Sequence, residues 1–164
     1  MPMVPLTYAL QFRGRATRSS ARRIVADLSA PSSALVTNLL VEGIRGRFEL
    51  AAGGEARLRC ELVLEDDQLR AEGTVTFGAG HQLAFRTLRT APLLPCPDPH
   101  LRQASVISEV VSGTGQLRGA SGQIVSTLLV SDTGEVTDNH LGVLFVEAPA
   151  NERSPSCPPL FDPA

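Results

Sequence analysis

Between residues 56 and 77 the chain alternates apolar and polar side chains twice, on either side of Asp66-Asp67. Ala56, Leu58, Cys60, Leu62 and Leu64 alternate with Arg57, Arg59, Glu61, Val63 and Glu65; Leu69, Ala71, Gly73, Val75 and Phe77 then alternate with Gln68, Arg70, Glu72, Thr74 and Thr76. A period of two belongs to a half-buried strand and not to a helix. A two-residue turn at Asp66-Asp67 pairs Leu64 with Leu69, Leu62 with Ala71, Cys60 with Gly73 and Leu58 with Val75. Every apolar residue then meets an apolar partner, and a slip of one residue would put each side chain on the wrong face. The next turn, Gly78-Ala79-Gly80, sets Leu83 against Val75 and Phe85 over Gly73, an aromatic ring covering a strand glycine.

The rest of the chain reads the same way. Residues 4–12 form a strand with Leu6, Tyr8, Leu10 and Phe12 on one face, and 35–50 form one long or two broken strands bent at Gly43 and Gly46. Apolar runs at 105–111, 123–131 and 135–147 follow, the last two joined by a turn at Asp132-Thr133-Gly134. Residues 20–29 are ambiguous, because Ser20 could cap a short helix through Leu28. The loop 91–100 carries alternating prolines that bar it from a central strand. This is about eight or nine strands joined mostly by short turns, which predicts an all-β fold. A succession of hairpins favours a single antiparallel β-barrel of about eight strands over a sandwich, with an apolar lumen wide enough for side chains or one small ligand. The 164 residues suit one domain, expected over 1–148, with a flexible, proline-rich tail over 149–164.

Several function classes fall away on composition. The net charge is −2, and all 15 basic residues are Arg, without a clustered positive excess of the kind that tracks phosphates, so no nucleic-acid partner is expected. The absence of Lys removes Schiff-base and P-loop chemistry. Three cysteines without a C-x-x-C spacing suit a reducing compartment. Three histidines without metal-ligand spacing give no metal site. No apolar run of about 18 residues suggests a membrane span, and the first residues lack a basic region followed by an apolar stretch. A cytoplasmic protein without a membrane partner is the expectation.

Pairing across the last turn sets Ser126 opposite His140, with Asp138 two residues away on the same face. Without a G-x-S-x-G elbow, these three read as the solvated side of a sheet and not as a hydrolase triad. The opposite face carries Val125, Leu129, Leu141, Val143 and Phe145, with Thr127, Thr137 and Asn139 interleaved, and is the expected lumen.

Residues 113–122 read Gly-Thr-Gly-Gln-Leu-Arg-Gly-Ala-Ser-Gly. No helix follows them, so they are not a nucleotide-binding loop. They resemble the glycine-rich stretch of the allene oxide cyclase and dirigent β-barrel superfamily, although Leu117 stands where that stretch has an aromatic residue and Ser121 where Arg is frequent. The likeness extends over about 55–147. It implies a small barrel, commonly oligomeric, that steers or closes rings in hydrophobic molecules. The nearest in character are the small bacterial cyclases of spirotetronate-type polyketides. No catalytic set of that family can be placed on this chain.

The resemblance therefore implies a cofactor-free cyclase acting on a hydrophobic, polyketide-derived intermediate, by a reaction such as an intramolecular four-plus-two cycloaddition, and working as a homo-oligomer, a dimer. Such an enzyme holds a flexible chain near its attack geometry and needs little acid–base machinery. Tyr8 is the expected hydrogen-bonding group and Glu109 the reserve acid or base. Cys60, Leu62, Phe77, Leu83, Phe85 and Asn139 are the expected cavity lining, with the loop 91–100 over one mouth. A lipocalin-like carrier that binds a small apolar ligand without converting it is the alternative.

Overall fold

A computed structural model describes residues 2–148; the tail expected at 149–164 lies outside the described residues. The strands run β1 Met3–Arg18, β2 Arg23–Leu40, β3 Gly43–Glu65, β4 Gln68–Phe77, β5 Gln82–Thr87, β6 Ala91–Pro92, β7 Leu94–Pro95, β8 Leu101–Gly113, β9 Ser121–Ser131 and β10 Glu135–Glu147. Eight of them close an antiparallel ring in the order β3-β2-β1-β10-β9-β8-β5-β4, with β4 pairing back onto β3. Closure removes free edges from the barrel wall except along the first part of β1, which pairs with β2 only over Arg13–Arg18. Among the described residues no helix is long and apolar enough to cross a membrane.

The registers read from the sequence hold. Leu64 pairs with Leu69, Leu62 with Ala71, Cys60 with Gly73 and Leu58 with Val75. Leu83 meets Val75 and Phe85 meets Gly73. The tight turn places both Asp66 and Asp67 at positive φ, 50° and 58°, the conformation a two-residue hairpin needs and that Asp tolerates.

Three expectations are corrected. Residues 23–30 are strand and not helix, because Ile24, Ala26, Leu28 and Ala30 alternate inward and pair on both sides, with β1 and β3. Val41-Glu42 make the hairpin turn, Gly43 opens β3 at φ 138°, paired with Leu40, and Gly46 lies within that strand; the bend comes earlier, at Pro31. There β1 and β2 part, their last pair being Arg13 with Ser29. Across from Ser32, β3 bulges through Ala51-Ala52-Gly53-Gly54, and Ser32 Oγ donates to the Gly54 carbonyl at 2.9 Å. Residues 33–50 thus leave the barrel as a two-stranded arm. The third correction concerns β9 and β10: the face chosen as lumen is the outside, with Val125, Leu141, Val143 and Phe145 between 41% and 47% exposed.

The two ends of the barrel differ. At one end Leu93 N donates to Asp67 O, so the proline-rich loop begins against the β3–β4 turn and buries Ala91. At the other, the glycine-rich segment forms a short 3-10 turn, Gly115–Leu117, that drops Leu117 into the core. Gly115 and Gly119 sit at φ 61° and 69°, so these glycines are required by the backbone. The same end carries the parting of β1 and β2.

Candidate functional site

Space at that parting forms a cleft of about 740 Å³ lined by Tyr8 and Leu10 of β1, Ala30 and Leu35 of β2, Glu55 of β3 and Phe77 of β4, among others. The cleft exists because β1 continues straight while β2 and β3 swing away after Pro31. The floor is aromatic: the rings of Tyr8 and Phe77 meet edge-on, with centroids 5.2 Å apart and planes at 74°. Tyr8 pairs with Gly142 on β10, and its ring occupies the space where a Cβ would stand. The ring contributes to the cleft, while the hydroxyl turns inward, is buried and has no hydrogen-bond partner.

Behind this floor the barrel is filled. Leu58, Val75, Leu83, Ile124 and Leu144 are at most 1% exposed, and a void of about 20 Å³ remains, room for about one water. Its lining includes Cys60, Ser108, Ser126, Asp138 and His140. Ser126, Asp138 and His140 therefore lie inside the barrel and not on a solvated face. Ser126 Oγ donates to Asp138 Oδ1 at 2.5 Å. Asp138 Oδ2 lies 3.0 Å from His140 Nε2. Phe12 and Phe85 present their rings edge-on to the imidazole, at 5.1 and 6.2 Å, and His140 Nδ1 has no partner.

The carboxylate stands in the middle of this trio. A hydrolase needs the imidazole there, taking the serine proton, and a nucleophile open to substrate; here the hydroxyl proton is committed to Asp138 and the serine is buried. Burial first, and then the Asp138 charge, pushes the Cys60 thiol up to about 12, which leaves it inert as a nucleophile. The same two causes in the same order hold the Tyr8 phenol above its ordinary range. It remains a donor at any physiological pH. Among the described residues no three His, Cys, Asp or Glu side chains gather as metal ligands.

The other expected residues divide. Cys60, Leu62 and Phe85 point inward but line the small void, Leu83 is fully packed, and Phe77 lines the cleft. Asn139 faces outward, accepting from Gln11 Nε2 at 2.9 Å. Glu109 also faces outward and takes the Arg86 guanidinium at 2.7 Å; the inward residues of β8 are Ala104, Val106 and Ser108. The loop 91–100 begins at the end opposite the cleft. Ser32, Leu35 and Glu55, which shape the cleft, went unnoticed in the sequence; Pro31 and the glycine pair at 53–54 were the available signal, since both mark a bulge when they fall within a strand pattern.

No protein-family model matches the chain, and no curated protein matches it. Among solved structures it is similar to the pterocarpan synthase dirigent protein GePTS1, at 12% identity over 89% of this chain and 90% of that one, with a TM-score of 0.48. It is also similar to the pterocarpan synthase dirigent protein PsPTS1, at 13% identity over 89% of this chain and 97% of that one, with a TM-score of 0.49. At these scores neither bears on what this chain binds or converts.

Proposed function

We propose that this chain is a cofactor-free cyclase of a hydrophobic, polyketide-derived intermediate, and that the substrate lies in the cleft beside Tyr8 and Phe77 and not in the barrel centre. One observation carries the reading: a buried, unpartnered hydroxyl beneath the floor of a cleft with an aromatic floor and mostly apolar walls. An unsatisfied buried donor costs ~1–3 kcal/mol, which a ligand oxygen would recover. A substrate carbonyl that reached the Tyr8 hydroxyl would accept from it. That bond would fix one end of a flexible chain and polarise the carbonyl. The cleft walls would hold the remainder folded, bringing the reacting carbons toward near-attack distance.

A second reading is a carrier that binds the same class of molecule and changes nothing. Burial of the Tyr8 hydroxyl favours it, because a ligand that never reaches that oxygen is held by the apolar walls alone. The two readings separate in the source organism with this gene deleted. A cyclase leaves a metabolite isobaric with the normal product, and purified protein without added cofactor converts it. A carrier leaves no isobaric compound, or binds one unchanged.

A further inference from the structure

The edge of β1 left open between Met3 and Phe12 has a definite chemistry. Ala148 N donates to Pro2 O and Ala16 N to Gly134 O, so even-numbered residues of β1 turn their backbone groups toward β10 and the turn before it. Odd-numbered residues turn theirs to the other edge, where Arg13 pairs with Ser29 of β2. The same register next sets Gln11 against Pro31, which has no N–H to give, and the pairing stops. Thr7 and Ala9 then present N–H and C=O groups along the cleft without a strand partner on that side among the described residues. Pro5 offers a carbonyl alone. An edge of this kind accepts one more extended segment, paired through its backbone.

The chain carries such a segment beyond the described residues. Residues 149–164 follow Ala148, which is tied to Pro2 and so leaves the fold beside the first residues of β1. A groove of about 500 Å³ opens at that point, between Val4-Pro5-Leu6 and Gly115, Gln116 and Arg118 of the glycine-rich segment. It follows β1 as far as Leu6, and the lining of the cleft begins at Thr7. We propose that residues 149–164 run through this groove along the open edge and seat Leu160 and Phe161 in the cleft, against Tyr8 and Phe77, where a ligand must displace them. The inference rests on the cleft being the ligand site, as above, and holds for a cyclase and a carrier alike. The reach is sufficient: Leu160 stands 12 residues beyond Ala148, about 40 Å of extended chain, while Pro2 to Tyr8 spans roughly 20 Å of strand. The sequence suits the path. Leu160-Phe161 is the one pair of large apolar residues in 149–164, and Pro155, Pro158 and Pro159 favour an extended backbone before it, with carbonyls that suit the Thr7 and Ala9 N–H groups. The groove wall has one charge of each sign, Arg118 and Glu147, and the segment entering it has Glu152 and Arg153.

Two measurements on the full chain test this. Fluorescence titration with naphthalene should show binding roughly tenfold tighter in Leu160→Ser with Phe161→Ser than in the wild type, whose cleft is then open for only about a tenth of the time. With Leu160 level with Tyr8 and the segment running alongside β1, Cys157 lies level with Pro5. In a Cys96→Ser background, Pro5→Cys should therefore form a disulfide with Cys157 within one chain when dilute protein is mildly oxidised, read as a linked peptide pair by mass spectrometry. Equal naphthalene affinity in wild type and double serine variant overturns the proposal and leaves the cleft reading intact. So does the absence of the link, or a link formed only between chains, which would give the segment to a second copy. Naphthalene bound by neither protein counts instead against the cleft as a ligand site, and the link alone then decides where residues 149–164 dock.

Discussion

The Tyr8 ring lies over Gly142, filling the place of the missing side chain on the neighbouring strand. Gly142→Ala would put a methyl group into the ring. Overpacking of this kind costs ~1–3 kcal/mol and moves the aromatic residue. The expected outcome is a lower midpoint in thermal unfolding together with weaker ligand binding in the cleft. Gly46→Ala, at a glycine with open space around its Cβ position, should not weaken binding.

Tyr8→Phe should stabilise the free protein. It removes a buried hydroxyl that has no partner, and an unsatisfied donor is worth ~1 kcal/mol or more when deleted. Calorimetry should show the midpoint rising by roughly 2–4 °C. A fall would mean that the hydroxyl is hydrogen-bonded in solution.

Stability should decline in mild alkali because of Cys60. Its thiol is pushed up to about 12 in the folded protein, against about 8.5 in an unfolded chain. Between those values the folded state keeps a proton that the unfolded state has lost. The contribution is therefore full below pH ~8.5 and falls by about 1.4 kcal/mol per pH unit as the pH rises toward 12. Denaturant titrations at pH 8 and 10 should show this loss, and Cys60→Ala should flatten it.

Glu109→Gln should change neither stability nor function beyond a small margin. The Arg86–Glu109 pair lies on the barrel exterior, with the Arg86 side chain 65% exposed, and such pairs are worth ~0–1 kcal/mol. Urea midpoints, and on the proposed cyclase reading the ring-closing rate, should match those of the wild type; a large loss of rate would return Glu109 to the mechanism.

How far the sequence speaks is visible in β9 and β10. Their register, Ser126 opposite His140, was legible because the turn at Asp132-Thr133-Gly134 fixes it. Their facing was not. The exterior carries Val125, Leu141, Val143 and Phe145, while the interior holds Ser126, Asp138 and His140, which satisfy one another in part. Alternation alone cannot identify the inner face when the polar residues are the ones paired inside. The same limit hid the cleft. Its shape comes from the separation of β1 and β2 after Pro31, a relation between strands distant from the pattern of either. Tyr8 could be picked out as the lone tyrosine on an apolar face, but its unpartnered hydroxyl could not.

The most direct measurement compares the binding of 2-naphthol and naphthalene by fluorescence titration, in the wild type and in Tyr8→Phe. The two probes share an apolar frame and differ by one hydroxyl group. If a ligand oxygen meets the Tyr8 hydroxyl beneath the cleft, the wild type should prefer 2-naphthol roughly five- to tenfold, the value of one net hydrogen bond. Tyr8→Phe should abolish that preference and leave naphthalene binding intact. Equal affinity of the two probes for the wild type, or a preference that survives in Tyr8→Phe, would contradict the account.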